Sequence, residues 1–294
     1  MNKRDYLIKI VDLGDNVRIY LARTTALAEE AHRRHGTSAT ASAALGRAMT
    51  AAVIMASDFK NREDTLTLRI EGSGPVGVIL VTADSSGGVR GLVSNPRADL
   101  PATASGKLDV GQLVGKQGYL EVIKDLGLQQ PFTGKVPLVS GEIAEDVAHY
   151  FLASEQIPAL ISLGVLVNPD LRVQAAGGLF VQALPGADDQ ALAMLEHNIM
   201  NLGSISSLID EHETLEDIAA LILQGIDHKV VGELDLGFRC HCSRERLLVI
   251  LAGLPEEEKA EPQNDTIEAE CNFCREKYKF TTQEIEAAKK NDKP

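Results

Sequence analysis

The chain has 294 residues, 44% of them apolar and 24% charged, a balance that fits a globular protein and excludes a disordered one. Its length predicts one main domain plus a smaller unit. A net charge of −13 without any basic block argues against nucleic acid, and no apolar run approaches the ~20 residues of a membrane span.

The first 23 residues alternate charges with short apolar runs and lack a signal-peptide core, so a reducing cytoplasm is the expected compartment. Leu7–Val11 and Val17–Leu21 read as strands around a Gly14-Asp15-Asn16 turn. Thr25–His35 reads as a helix stopped by Gly36. Ser38–Ser57, rich in Ala, Leu and Met, reads as a buried helix. Strands follow at Thr65–Glu71, Val76–Val81, Gly88–Val93 and Gly118–Lys124, spaced closely enough for an antiparallel meander. Gly141–Ala153 is the next predicted helix, with Ile143, Val147, Tyr150 and Phe151 on one face. Ile161–Val167 and Gly178–Leu184 are strands that close the domain.

At Pro185-Gly186 the composition shifts. Between Pro185 and Val231 nine acids stand against one base, Lys229. Leu192, Leu195, Ile199 and Leu202 keep helical spacing, as do Leu215, Ile218, Leu221 and Ile222. Like-charge repulsion makes such a segment weakly stable alone. Two readings stand: a solvated helical linker, or a segment that folds only when something holds it.

All four cysteines lie in the last stretch. Cys240-His241-Cys242 is followed, twenty-eight residues later, by Cys271-Asn272-Phe273-Cys274. In a reducing compartment, two short-spaced pairs separated by a longer insert read as metal ligands, not as a disulfide frame. Residues i and i+2 of an extended segment face one side, so Cys240 and Cys242 can share one ion while His241 points away. The spacing predicts a four-thiolate zinc site without His241. Arg275 stands where a zinc knuckle usually has Gly for a left-handed turn, which makes that turn less favourable. A unit of about sixty residues is marginal without a staple, and a structural zinc contributes about 10–16 kcal/mol of apparent binding energy in small fingers. The residues alone leave open a plain zinc-stabilised module and a switch.

Phe238-Arg239-Cys240-His241-Cys242-Ser243-Arg244-Glu245-Arg246, with Cys271-x-x-Cys274 and then Tyr278-x-Phe280, resembles the redox-switch domain of the thirty-three-kilodalton redox-regulated heat-shock chaperones. Tyr150-Phe151-x-x-Ser154-Glu155-Gln156-Ile157-Pro158 and Ala175-Ala176-Gly177-Gly178-x-Phe180-x-Gln182-x-x-Pro185 are similar to segments of that family's core domain. The resemblance implies an α+β fold: an antiparallel-sheet core domain with packed helices (1–184), a helical linker (185–231) and a small zinc-binding redox-switch domain (232–294). It implies an idle reduced form with one zinc on the four cysteines. Oxidation would pair Cys240 with Cys242 and Cys271 with Cys274, release zinc, and unfold the switch and the linker. The activated homodimer would hold unfolded or partly folded client proteins without ATP, and the chain would not be an enzyme.

Other motifs carry less. Gly72-Ser73-Gly74-Pro75-Val76-Gly77 matches a dinucleotide fingerprint literally, but a strand follows where a helix is needed, so it reads as a hairpin turn. Gly115-Lys116 lacks the rest of a phosphate loop. His32 and His35 read as an exposed polar face, and Glu145 with His149 as a surface pair. Ser154-Glu155-Gln156 reads as a helix-end or packing feature. Against the holdase stand two other classes: a constitutive zinc-binding interaction module and a thiol–disulfide enzyme using Cys271-x-x-Cys274. The enzyme needs a lone C-x-x-C at a helix start, which four cysteines at ligand spacing do not resemble.

Overall fold

The two N-terminal apolar runs form a hairpin of β1 (Tyr6–Asp12) and β2 (Val17–Arg23). Asp12, buried at its base, shapes the turn by accepting from the backbone N–H groups of Asn16 and Val17, each at 2.7 Å. β9 (Val173–Ala183) pairs with β2, and β8 (Ala159–Val167) with β9. β10 (His228–Asp235) pairs with the free side of β1. The result is an antiparallel five-stranded sheet in the order β10-β1-β2-β9-β8. This computed structural model describes residues 3–255 and 265–291.

A second sheet runs β11-β5-β4-β3-β6-β7, built from β3 (Thr65–Glu71), β4 (Val78–Asp84), β5 (Gly88–Val93), β6 (Tyr119–Asp125), β7 (Phe132–Pro137) and β11 (Gly237–Phe238). Its strands are antiparallel except β11, which joins β5 in parallel. Helix α1 (Thr25–His35) stops at Gly36 as the sequence predicts, and the φ of 59° there makes a left-handed cap. Helix α2 (Ala39–Ala56) starts at Ser38, whose Oγ accepts from the N–H of Ala41.

Both sheets pack against α2. Leu66, Leu68 and Ile70 of β3 and Leu7, Tyr20 and Ala22 of the hairpin share one core with Leu45, Met49 and Val53 of α2. By length and apolar composition α2 could cross a membrane, yet 83% of it lies in the protein interior. Its small residues permit close approach. A Cβ on Gly46 would sit 2.9 Å from Val165 Cγ2.

The five-stranded sheet is apolar on both faces, which explains the apolar run 19–22 in β2. Its second face presents Tyr6, Ile8, Ile10, Ile19 and Leu21. The acidic stretch covers that face as three helices, α5 (Asp189–Met200), α6 (Ile205–Glu211) and α7 (Leu215–Ile222). Leu195, Leu208, Ile209, Leu215, Ile218 and Ile222 form the buried side of this layer. Asp188, Ser204 and Thr214 cap the three helices, and Asp217 completes a capping box with Thr214.

The structure shifts several sequence-based expectations. β4 begins at Val78, because Val76 is buried inside the Gly72–Gly77 turn. Val114 O and Leu113 O lie 2.1 and 2.2 Å from where a Cβ on Gly72 and Gly74 would fall, so close backbone approach accounts for these glycines. The short helix α3 (Val110–Val114) that supplies those carbonyls is absent from the sequence reading, as are β7 and β10. The predicted helix Gly141–Ala153 is α4 (Ala144–Tyr150) followed by a π turn at Phe151–Glu155. His35 is buried, not exposed, and His32 Nδ1 lies 3.2 Å from Thr37 Oγ1 and 3.1 Å from Ser42 Oγ.

The chain divides into two compact units, Met1–Arg239 and Cys240–Pro294. The break falls eight residues beyond the 231/232 boundary drawn from composition, because β10 and β11 hydrogen-bond into the two sheets of the first unit. Among the described residues, the second unit holds α8 (Arg244–Gly253), a hairpin of β12 (Thr266–Glu270) and β13 (Lys277–Thr281), and α9 (Thr282–Asn291). Its buried apolar core, among the described residues, is Leu251, Ile267, Phe280 and Ile285.

Candidate metal centre

Cys240 and Cys242 sit in the extended stretch just before α8, which Ser243 caps by accepting from the N–H of Arg246. His241, between them, is exposed, and its carbonyl accepts from Arg246 Nη1 at 2.9 Å. Cys271 and Cys274 occupy the turn between β12 and β13. The N–H of Cys271 donates to Glu276 O at 2.9 Å, and the N–H of Arg275 donates to Cys271 O at 2.8 Å. Arg275 holds φ at 61°, the left-handed conformation usually filled by glycine, and its guanidinium pairs with Glu270 at 2.8 Å.

These two segments bring all four sulfurs together. Every pair of Sγ atoms lies within 4.8 Å, and His241 is outside the cluster. Cys240 Sγ is 3.8 Å from Cys271 Sγ, and Cys242 Sγ is 3.3 Å from Cys274 Sγ. Thiolates bonded at about 2.3 Å to one tetrahedral ion stand about 3.8 Å apart, so the cluster has the dimensions of a four-sulfur metal site. Cys274 is buried and the other three are half-buried.

Burial pushes the Cys274 thiol well above its ordinary range, and neighbouring thiols add to the rise while the Glu276 amide opposes it. Burial likewise raises Cys242, against the Tyr278 hydroxyl, whose Oη lies 3.5 Å from Cys242 Sγ. Four crowded thiolates are therefore unfavourable by themselves, and a divalent cation among them reverses that preference. Tyr278 is the residue whose place at the centre the sequence reading missed. It lies 36 positions from Cys242, and the only sequence signal was the Tyr278-x-Phe280 motif.

The segment Ser154-Glu155-Gln156 takes no part in this centre. Glu155 closes the π turn, accepting from Tyr150 Oη at 2.6 Å and from Lys124 Nζ.

An α+β body followed by a small hairpin-and-helix unit with four clustered sulfurs defines a thiol-centred, two-unit protein. The sequence profile described as Hsp33 protein matches residues 5–281. The chain is 49% identical over 285 residues to the 33 kDa chaperonin of Desulforamulus reducens, covering 96% of each chain. It is 46% identical over 285 residues to that of Bacillus licheniformis, covering 96% of this chain and 98% of the relative. The crystal structure of the 33 kDa chaperonin (heat shock protein 33 homolog) from Thermotoga maritima superimposes with a TM-score of 0.87 at 37% identity, over 98% of both chains. The chain belongs to the Hsp33 family, and the relatives it matches are named chaperonins.

Proposed function

We propose that the protein is an oxidation-activated holdase of the cytoplasm. Cys240, Cys242, Cys271 and Cys274, when reduced, hold one zinc ion and the chaperone is idle. Four thiolates at tetrahedral separations suit zinc, a borderline-soft ion without redox chemistry of its own. Bound zinc cross-links the two cysteine segments and keeps their sulfurs deprotonated.

Oxidation pairs Cys240 with Cys242 and Cys271 with Cys274. Each disulfide draws two electrons from two thiolates; with peroxide as oxidant, one peroxide and two protons become two waters. The ligand set is then gone. Such short loops restrain the unfolded chain little, and a unit whose core, among the described residues, is Leu251, Ile267, Phe280 and Ile285 is too small to stay folded without its staple.

The observation that carries this reading is the apolar layer of 185–231 on the outer face of the five-stranded sheet. Its exposed side is acidic, so the segment depends on that buried stripe and the polar contacts beside it. Release uncovers both the stripe and the Ile8, Ile10, Ile19 and Leu21 face, an apolar surface that fits unfolded clients. Residues 1–184 act as the client-holding core, 185–231 as the conditional linker and the unit from Cys240 onward as the switch. The chain runs from β11 directly into Cys240, so unfolding of the switch frees one end of the strands that follow the linker. The active form is a homodimer that needs neither ATP, nucleic acid nor membrane.

The test is suppression of aggregation of a heat-denatured client by peroxide-treated protein with no nucleotide present. Protection only after oxidation is the expected result. Zinc loss with unchanged client aggregation would leave a constitutive zinc module in place of a holdase.

A further inference from the structure

Tyr278 lies on β13, two residues before Phe280. Strand geometry puts both rings on one side of the hairpin. Phe280 is fully buried in the core of the second unit, and Tyr278 packs against the same cluster. The ring is thereby anchored, and its Oη reaches 3.5 Å from Cys242 Sγ. Opposite it on β12 is Ala269, a small residue that leaves room for the ring. A phenol has one proton to donate and a thiolate has none, so when Cys242 is ionised the hydrogen bond runs from Tyr278 to sulfur.

We propose that Tyr278 is a positioning residue that restrains the reaction of Cys242 with peroxide. The inference rests on the oxidation-activated reading above and adds to it a residue that governs how readily one of the four cysteines reacts. In the step concerned, the Cys242 sulfur attacks one peroxide oxygen. The O–O bond breaks, hydroxide leaves, and Cys242 becomes a sulfenic acid. The Cys240 thiolate then attacks that sulfur and expels a second hydroxide, and the two hydroxides take two protons from the buffer to become two waters. Two electrons leave the sulfurs and one peroxide is reduced. A hydrogen bond to the attacking lone pair must be given up on the way to the O–O transition state, so it slows the first step. The second unit thereby holds its metal against low oxidant levels at one of its half-buried ligands.

The test uses the full-length, zinc-loaded, reduced chain and its Tyr278→Phe variant, which keeps the ring and removes only the hydroxyl. Zinc content and the circular dichroism spectrum are measured before oxidant. Zinc release under peroxide is then followed with a metallochromic dye, and a sulfenic-acid trap with peptide mass spectrometry reads each cysteine. The expected result is unchanged zinc content, and trapping at Cys242 that rises about threefold to tenfold relative to the other three cysteines. Equal trapping at Cys242 in both proteins overturns the proposal and leaves the switch reading intact. So does zinc loss from the variant before any oxidant, which would make Tyr278 a structural support of the site. A wild-type protein that keeps its zinc under peroxide overturns the switch reading itself, and the restraint with it.

Discussion

Arg23 Nη1 donates to the carbonyl oxygen of Glu213 at 2.9 Å, from a side chain only 2% exposed. Its Nη2 donates to the carbonyl of His212 at the same distance, and Lys3 Nζ reaches His212 O at 2.8 Å. Tyr6 Oη accepts from the N–H of Leu215 at 2.7 Å and donates to Glu216. The α6–α7 connection is therefore pinned to the first two strands by polar contacts beside the apolar layer. Arg23→Met keeps the volume and removes both hydrogen bonds. It should cost about 2–4 kcal/mol and lower hydrogen-exchange protection across 205–222. Unchanged protection there would show that the apolar stripe alone holds the linker.

Ile218 is fully buried in that stripe. Ile218→Ala should destabilise the layer by about 2–4 kcal/mol. Zinc-loaded, reduced variant should then bind more apolar dye than wild type while retaining its metal. Dye fluorescence equal to that of wild type would separate linker stability from exposure of the sheet face.

Asp5 accepts from the N–H groups of Leu27 and Ala26 at the start of α1. Burial raises its carboxyl from the ordinary 3.8 to about 6, against those amides and Arg23. As pH rises from about 4 to about 6, the unfolded carboxyl ionises first, so the folded state binds more protons in that window. Asp5 thus contributes stability that is present below pH 4 and lost as pH passes 6, roughly 3 kcal/mol in all. Urea denaturation of wild type and Asp5→Asn across pH 4–7 should show the difference between them changing by that amount. A constant difference would mean that Asp5 does not titrate there.

Cys271→Ser removes one of the four clustered sulfurs. The variant should bind zinc more weakly and lose part of the structure of the second unit without any oxidant. Metal analysis and circular dichroism check this, and full metal content would take Cys271 out of the ligand set.

Where buried apolar residues alternate or run unbroken, the strands were legible in the sequence. β3 shows Leu66, Leu68 and Ile70 buried in strict alternation, and the β1–β2 hairpin carries an Asp12-centred turn. β7 and β10 were not legible, because they are mostly exposed and carry little apolar period. They are strands because of the neighbours they hydrogen-bond to. Composition changes at Pro185, but the backbone pairing of β10 with β1 continues to Asp235. The linker's apolar stripe could be read from spacing, whereas its partner face could not, since β1, β2 and β9 come together only in the fold. At the thiol cluster, the two short-spaced pairs visible in the sequence are the ones the fold brings together, and the left-handed Arg275 stands where a glycine was expected. Tyr278 required the hairpin to bring it to Cys242.

The most direct measurement follows zinc release and light scattering in one sample at raised temperature, with a heat-denatured client present, before and after peroxide. One zinc released per chain, with client scattering suppressed as the metal leaves and restored by reductant, is the predicted result. Zinc release without any change in client scattering would contradict the switch.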